Sequence, residues 1–165
     1  MALESLKGLY VDQLRDLYNA ENQILTALPQ MAQKSSHPEL KNAFQQHEAQ
    51  TRTHVERLDK IFRQLGVKPQ GETCEGMQGI IREGEKMLKE RSDADTLDAA
   101  LIAAAQRVEH YEIAGYGTVR TYANELGFGD QADLLQRTLN EEGNTDHRLS
   151  HIAENVVNAD AMTAA

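Results

Sequence analysis

A chain of 165 residues, 40% apolar and 26% charged, has the length and composition of one globular domain, which excludes a disordered polymer. A formal net charge of −9 excludes nucleic-acid binding through a basic face. The single cysteine, Cys74, excludes an internal disulfide and a cysteine-rich zinc site. No run approaches the roughly 18 apolar residues of a membrane span. Met1-Ala2-Leu3-Glu4-Ser5 carries no basic-then-apolar leader pattern, so the expected address is cytoplasmic.

Apolar residues recur every three to four positions almost throughout, and no stretch alternates with a period of two, which predicts an all-α chain. The first long helix is predicted from about Ser5 to Gln33, with Pro29 inside it expected to kink or end it. Ser36-His37-Pro38-Glu39 reads as a capping box in which Ser36 caps the second long helix and Glu39 reaches back. That helix is predicted from Pro38 to Leu65, stopping at Gly66. After a Gly/Pro loop, a short amphipathic helix is predicted from Cys74 to Arg91, with Met77, Ile80, Ile81, Met87 and Leu88 on its apolar side. Ser92 or Asp93 caps the third long helix, which ends at Leu126-Gly127. Asp130, with Asp133 three residues later, caps the fourth, which runs to about Val157. The domain then closes near residue 158, and Ala159 to Ala165 form a tail with little reason to be ordered. Two short-looped hairpins joined by one long crossover with a short helix of its own are the ferritin-like arrangement of a four-helix bundle.

The chemistry lies where the apolar stripes are interrupted. Glu21 stands between Leu17 and Leu25 on the first long helix. On the second, His47, Thr51 and His54 occupy consecutive seam positions between Phe44 and Leu58. Glu112 interrupts the third stripe, with Glu109 one turn away, and Glu142 and Asp146 interrupt the fourth. Glu112 and Glu142 stand about 15 residues on either side of Gly127, and Glu21 about 15 from Ser36, so these groups meet near mid-bundle. One unpaired buried carboxylate already costs several kcal/mol. Five carboxylates and an imidazole, with no Lys or Arg on the stripes, predict two bound metal ions, iron or manganese by the hardness of the donors. The expected ligands are Glu21, His47, Glu109, Glu112, Glu142 and Asp146. His54 is expected behind the ligands, and Tyr18 could hydrogen-bond one of them. His110, His147 and His151 are expected at the surface.

Four stretches carry a family resemblance: Leu17-Tyr18-Asn19-Ala20-Glu21; His47 through Thr51 with Val55-Glu56-Arg57-Leu58; Val108-Glu109-His110-Tyr111-Glu112-Ile113-Ala114; and Leu139-Asn140-Glu141-Glu142 with Asp146. From about Leu6 to Val157 the chain resembles the YciE/YciF family of ferritin-like bacterial stress-response proteins. The resemblance implies a fold similar to ferritins and rubrerythrins, a homodimer, and a di-metal centre linked to stress responses. One departure stands out. The wider di-iron pattern uses Glu-x-x-His on two helices, whereas here Glu48 is followed by Thr51 and Glu142 by Thr145. His47 with Gln50, and Glu142 with Asp146, stand in their place, which predicts one firmly held metal and a weaker second.

Two functions follow as expectations. One is a redox protein that oxidises Fe(II) and reduces O₂ or peroxide at the mid-bundle site. The other is a stress-associated structural dimer with a vestigial polar core, in which the small face of the third long helix (Ala99, Ala100, Ala103, Ala104, Gly115) admits a close neighbour.

Overall fold

The computed structural model describes residues 4–163, and among them the only regular elements are helices. α1 spans Leu6–Lys34, α2 Pro38–Leu65, α3 Glu75–Met87, α4 Ala94–Glu125 and α5 Gly129–Ile152. A π-helical turn, Ala153–Val157, leads into α6, Asn158–Thr163. No helix among the described residues is long and apolar enough to cross a membrane.

Most boundaries have a visible cause. The Ser5 hydroxyl accepts from Gly8 N and starts α1, and Asp93 caps α4 by accepting from Thr96 N. α1 passes Pro29 and continues to Lys34, because Leu28 and Ala32 are buried on either side of the exposed ring and hold the helix to its neighbours. The cap of α2 is His37, not Ser36: its Nδ1 accepts from Glu39 N, while Ser36 N and His37 N both donate to the buried Asp98 carboxylate. α5 begins at Gly129, so Asp130 lies inside its first turn and is not its cap. Gly127, at φ 76°, sets this geometry: Gly127 N donates to Asn124 O and Phe128 N to Ala123 O, a closure that leaves Phe128 at the cap position. α3 ends at Met87, four residues before the expected Arg91, where Lys89, Glu90 and Arg91 offer no apolar face to dock. Beyond Val157 the chain does not fall away at once. α6 carries the helical path to Thr163 against α4, and only Ala164 and Ala165 of the expected tail lie outside the described residues.

α1 and α2 form one antiparallel hairpin and α4 and α5 another; α1 lies against α4 and α2 against α5. The α1–α2 turn meets Asp98 near the start of α4, and Tyr10 near the start of α1 reaches Gln131 at the start of α5, so α1 and α4 run in opposite directions. Arg148 pairs with Asn42 at one end of the α2–α5 contact and Arg57 with Thr138 at the other, so these two are also antiparallel. The four long helices therefore run up, down, down and up. The segment between α2 and α4 returns along the bundle with α3 packed over α1 and α4.

The core divides into two apolar clusters. One contains Ile24, Leu28, Leu40, Phe44, Leu101 and Leu149. The other contains Leu14, Leu17, Leu58, Phe62, Val119 and Leu135. On each long helix the polar interruption falls between a residue of one cluster and a residue of the other, which sets the polar layer across mid-bundle.

Candidate metal centre

Glu21 on α1, His47 and His54 on α2, Glu109 and Glu112 on α4, and Glu142 on α5 are all buried. Their donor atoms form two overlapping groups. In the first, one atom each of His47, Glu109, Glu112 and Glu142 lies within 4.8 Å of the others; in the second, Glu21, His54 and Glu142 do the same. Glu142 belongs to both. These clusters could each hold a metal ion.

Helical spacing explains the convergence. Glu109 and Glu112 lie three apart on α4 and project from one face. His47 and His54 lie seven apart on α2, two turns along the same face, with the buried Thr51 between them. α1 and α4 approach closely beside Glu21 and Glu112, since a Cβ on Gly115 would stand 2.7 Å from Leu17 Cδ2.

Of the six expected ligands, the structure brings together Glu21, His47, Glu109, Glu112 and Glu142. Asp146 stands apart. Its carboxylate accepts from Gln106 Nε2 at 3.0 Å and lies 3.3 Å from His110 Nε2, whose side chain is 68% exposed. One turn along α5 from Glu142, Asp146 is engaged by Gln106 of α4 and falls outside both donor groups, although its charge still acts on Glu109. His54 lies within the second donor group, not behind it, and its signal in the sequence was the seven-residue spacing from His47. Tyr18 does not reach Glu21; it packs edge-on against Phe62. The tyrosine at the centre is Tyr116, buried one turn beyond Glu112, and its hydroxyl donates to Glu21 Oε1. Its spacing of four from Glu112 was readable in the sequence.

Around the donors lies a polar support. His54 Nε2 donates to Glu141 Oε2 at 2.8 Å, and Arg57 grips both oxygens of Glu141 at 2.6 and 2.9 Å. This leaves His54 Nδ1 facing Glu142 Oε1 at 2.8 Å and Glu21 Oε1 at 3.3 Å. On the other side Thr145 Oγ1 donates to Glu141 O and can accept from His47 Nδ1 at 3.4 Å, which turns Nε2 toward Glu109 Oε1 at 3.2 Å. Each imidazole thus aims one ring nitrogen at carboxylate oxygens, a position that either a proton or a metal ion can fill.

Without a metal, protons take that position. Burial, then the neighbouring charge of Glu142, pushes Glu109 and Glu112 well above the usual carboxylate range. Burial also opposes the charge on Glu142, but the hydrogen bond from His54 and the charges of His47 and His54 hold it below that range. Burial opposes a proton on His54, yet the hydrogen bonds to Glu142 and Glu21 outweigh it and push the imidazole up to about 10.

Glu21 Oε2, Glu109 Oε2, Glu142 Oε2 and both carboxylate oxygens of Glu112 are buried without a hydrogen-bond partner, while His54 Nδ1 and His47 Nε2 face only the carboxylates of the centre. Buried polar atoms are rarely left so. Four carboxylates carry the charge that two divalent ions cancel. Four carboxylates and two imidazoles are also the donor inventory of di-iron bundles, where each imidazole comes from a different helix. Here α2 supplies both. The residues present therefore fit a pair of metal ions.

The comparisons agree with this architecture. The E. coli (strain K12) protein YciF is 39% identical over 166 residues, covering 100% of both chains. The crystal structure of the E. coli stress protein YciF superposes with a TM-score of 0.90 at 39% identity, covering 94% of this chain and 98% of that one. YcfI of Rhodopseudomonas palustris, provisionally described as a structural protein, matches with a TM-score of 0.87 at 40% identity, over 90% of this chain and 94% of that one. A Xanthomonas campestris protein shares the fold at 20% identity, with a TM-score of 0.77 over 97% and 99% of the two chains. Residues 5–162 match the family model described as a domain of unknown function, DUF892, and the chain belongs to that family.

Proposed function

We propose that this is a ferritin-like di-metal carboxylate protein of the bacterial stress response, cytoplasmic and homodimeric, that reduces O₂ or peroxide at its mid-bundle centre. The observation that carries the reading is the set of buried carboxylate and imidazole donors from four helices, gathered into two groups that share Glu142. Oxygen and imidazole donors favour iron, with manganese the alternative. When bound, two ferrous ions would supply two electrons, enough with two protons to convert O₂ to hydrogen peroxide, or hydrogen peroxide to two waters.

The chain's own residues do the rest. His47, Glu109, Glu112 and Glu142 would hold one ion, and Glu21, His54 and Glu142 the other. The first group has four donors and the second three, which supports unequal affinity. Glu141 and Arg57 orient His54 and fix its tautomer, a support that ligating imidazoles generally require. Tyr116 orients Glu21 by donating to one of its oxygens. The two apolar clusters keep bulk water out.

The test is metal content by mass spectrometry after anaerobic loading with Fe(II). About two irons per chain, lost in Glu112→Ala, are expected. Content below about 0.2 of any transition metal after loading would sink the reading. The second reading is a stress-associated structural dimer, favoured by the description of YcfI. It predicts the same thermal melt with and without chelator.

A further inference from the structure

α3 does not seal the bundle. Between it, α1 and α4 lies a cavity of about 50 Å³ whose walls are overwhelmingly apolar, formed among others by Ile24, Leu101, Ala104 and Val108, with Ile81 of α3 toward the outside. Glu109, one of the donors at the centre, contributes to the same wall. The small residues matter. Gly84 of α3 sits over Ala104 of α4, where a Cβ on the glycine would stand 3.5 Å from the alanine's, and larger side chains at these positions would fill the space.

We propose that this cavity is the route by which molecular oxygen reaches the metal centre, so that O₂ and not peroxide is the oxidant. The inference deepens the di-metal reading and rests on it. The volume suits a guest of a few water-sized units. The walls offer almost no hydrogen-bond partners. Water and hydrogen peroxide both lose hydrogen bonds on entering such a space, while an apolar diatomic loses none. Iron oxidation with O₂ as acceptor balances as two Fe(II), one O₂ and two protons giving two Fe(III) and one hydrogen peroxide. The protons come from solvent. The hydrogen peroxide is released to solvent.

Xenon-pressurised crystals of the metal-free protein test the cavity without any reaction. Xenon density between Ala104 and Ile81 is expected, and its absence would overturn the proposal. Ala104→Leu should fill the space, abolish the xenon site, leave bound Fe(II) unchanged and slow O₂-driven Fe(II) oxidation at least tenfold. If Ala104→Leu folds poorly, Ala100→Leu at the half-buried edge of the cavity serves the same purpose. An oxidation rate equal to wild type in a variant whose crystals have lost xenon would overturn the route. So would wild-type protein that oxidises faster with peroxide than with O₂ at equal concentration. Xenon bound in a protein that takes up no iron would reject the di-metal reading and the route with it, leaving a plain cavity; xenon absent from a protein that holds two irons would reject the route alone.

Discussion

Glu141 touches no expected metal position, yet it decides how His54 presents itself. Its carboxylate accepts from His54 Nε2 and is clamped by Arg57, so Nδ1 faces Glu21 and Glu142. Glu141→Gln should leave the ligand set intact and weaken metal affinity by about 10- to 100-fold, as loss of such outer partners does. Competition titration against a chelator of known affinity checks this. His54→Ala removes one of only three donors in its group. It should lower the iron content from about two to about one per chain, whereas Asp146→Ala should leave it unchanged. Proton linkage is a separate test. In the metal-free protein His54, pushed up to about 10, carries a proton at pH 7, and Glu109 and Glu112 hold theirs far above the ordinary range. Metal must displace these protons, so binding should release protons and weaken as pH falls. Calorimetry in buffers of different ionisation enthalpy would show the release, and affinity that does not change between pH 8 and pH 6 would contradict it.

At the scale of elements, the α1–α2 turn is held from outside itself. Asp98, in the first turns of α4, accepts from Ser36 N at 2.9 Å and His37 N at 2.7 Å. It thereby satisfies donors at the start of α2 that a capping side chain would otherwise take. Hydrogen bonds to a charged group are worth about 1.5–3 kcal/mol each, and their loss leaves amides unpaired. Asp98→Ala should therefore cost about 2–4 kcal/mol in urea unfolding while sparing the donor geometry. Ser36 is not the cap because His37 Nδ1 takes the Glu39 N–H that a capping serine would bind. The local motif was present, but the Ser36 N–H goes instead to a carboxylate 62 residues away in sequence. The small face of α4 divides in the same way: Gly115 accommodates Leu17 of α1, and Ala100 and Ala104 border the cavity under α3. Much of that face is therefore used inside the chain.

Across the whole molecule, a layer of four carboxylates separates two apolar clusters. A bundle split this way is expected to depend on its metal. Ligand present at 100 times its dissociation constant stabilises the folded state by about 2.7 kcal/mol. Iron or manganese should raise the melting temperature by several degrees, and a strong chelator should reverse the rise. Identical melts across a wide range of iron concentration would leave the polar layer stabilised by protons alone. The direction of the four helices also belongs to this scale. A crossover the length of the bundle lets α4 run parallel to α2, and that arrangement puts Glu109 and Glu112 opposite His47 and Glu142.

By itself the sequence determined that the chain is helical, where the four long helices run, and that polar groups from all four meet at one height. Periodicity and counting from the turns suffice for these, because rise along a helix is linear in residue number. Only the tertiary structure decided rotation about each helix axis: that His54 faces the centre, that Asp146 turns away to Gln106, that Tyr116 and not Tyr18 reaches Glu21, and that Glu141 stands behind His54. The reason is angular. Each residue advances about 100° around its helix, so a packing rotation of a few tens of degrees, set by close contacts such as Gly115 against Leu17, exchanges which polar residues look inward.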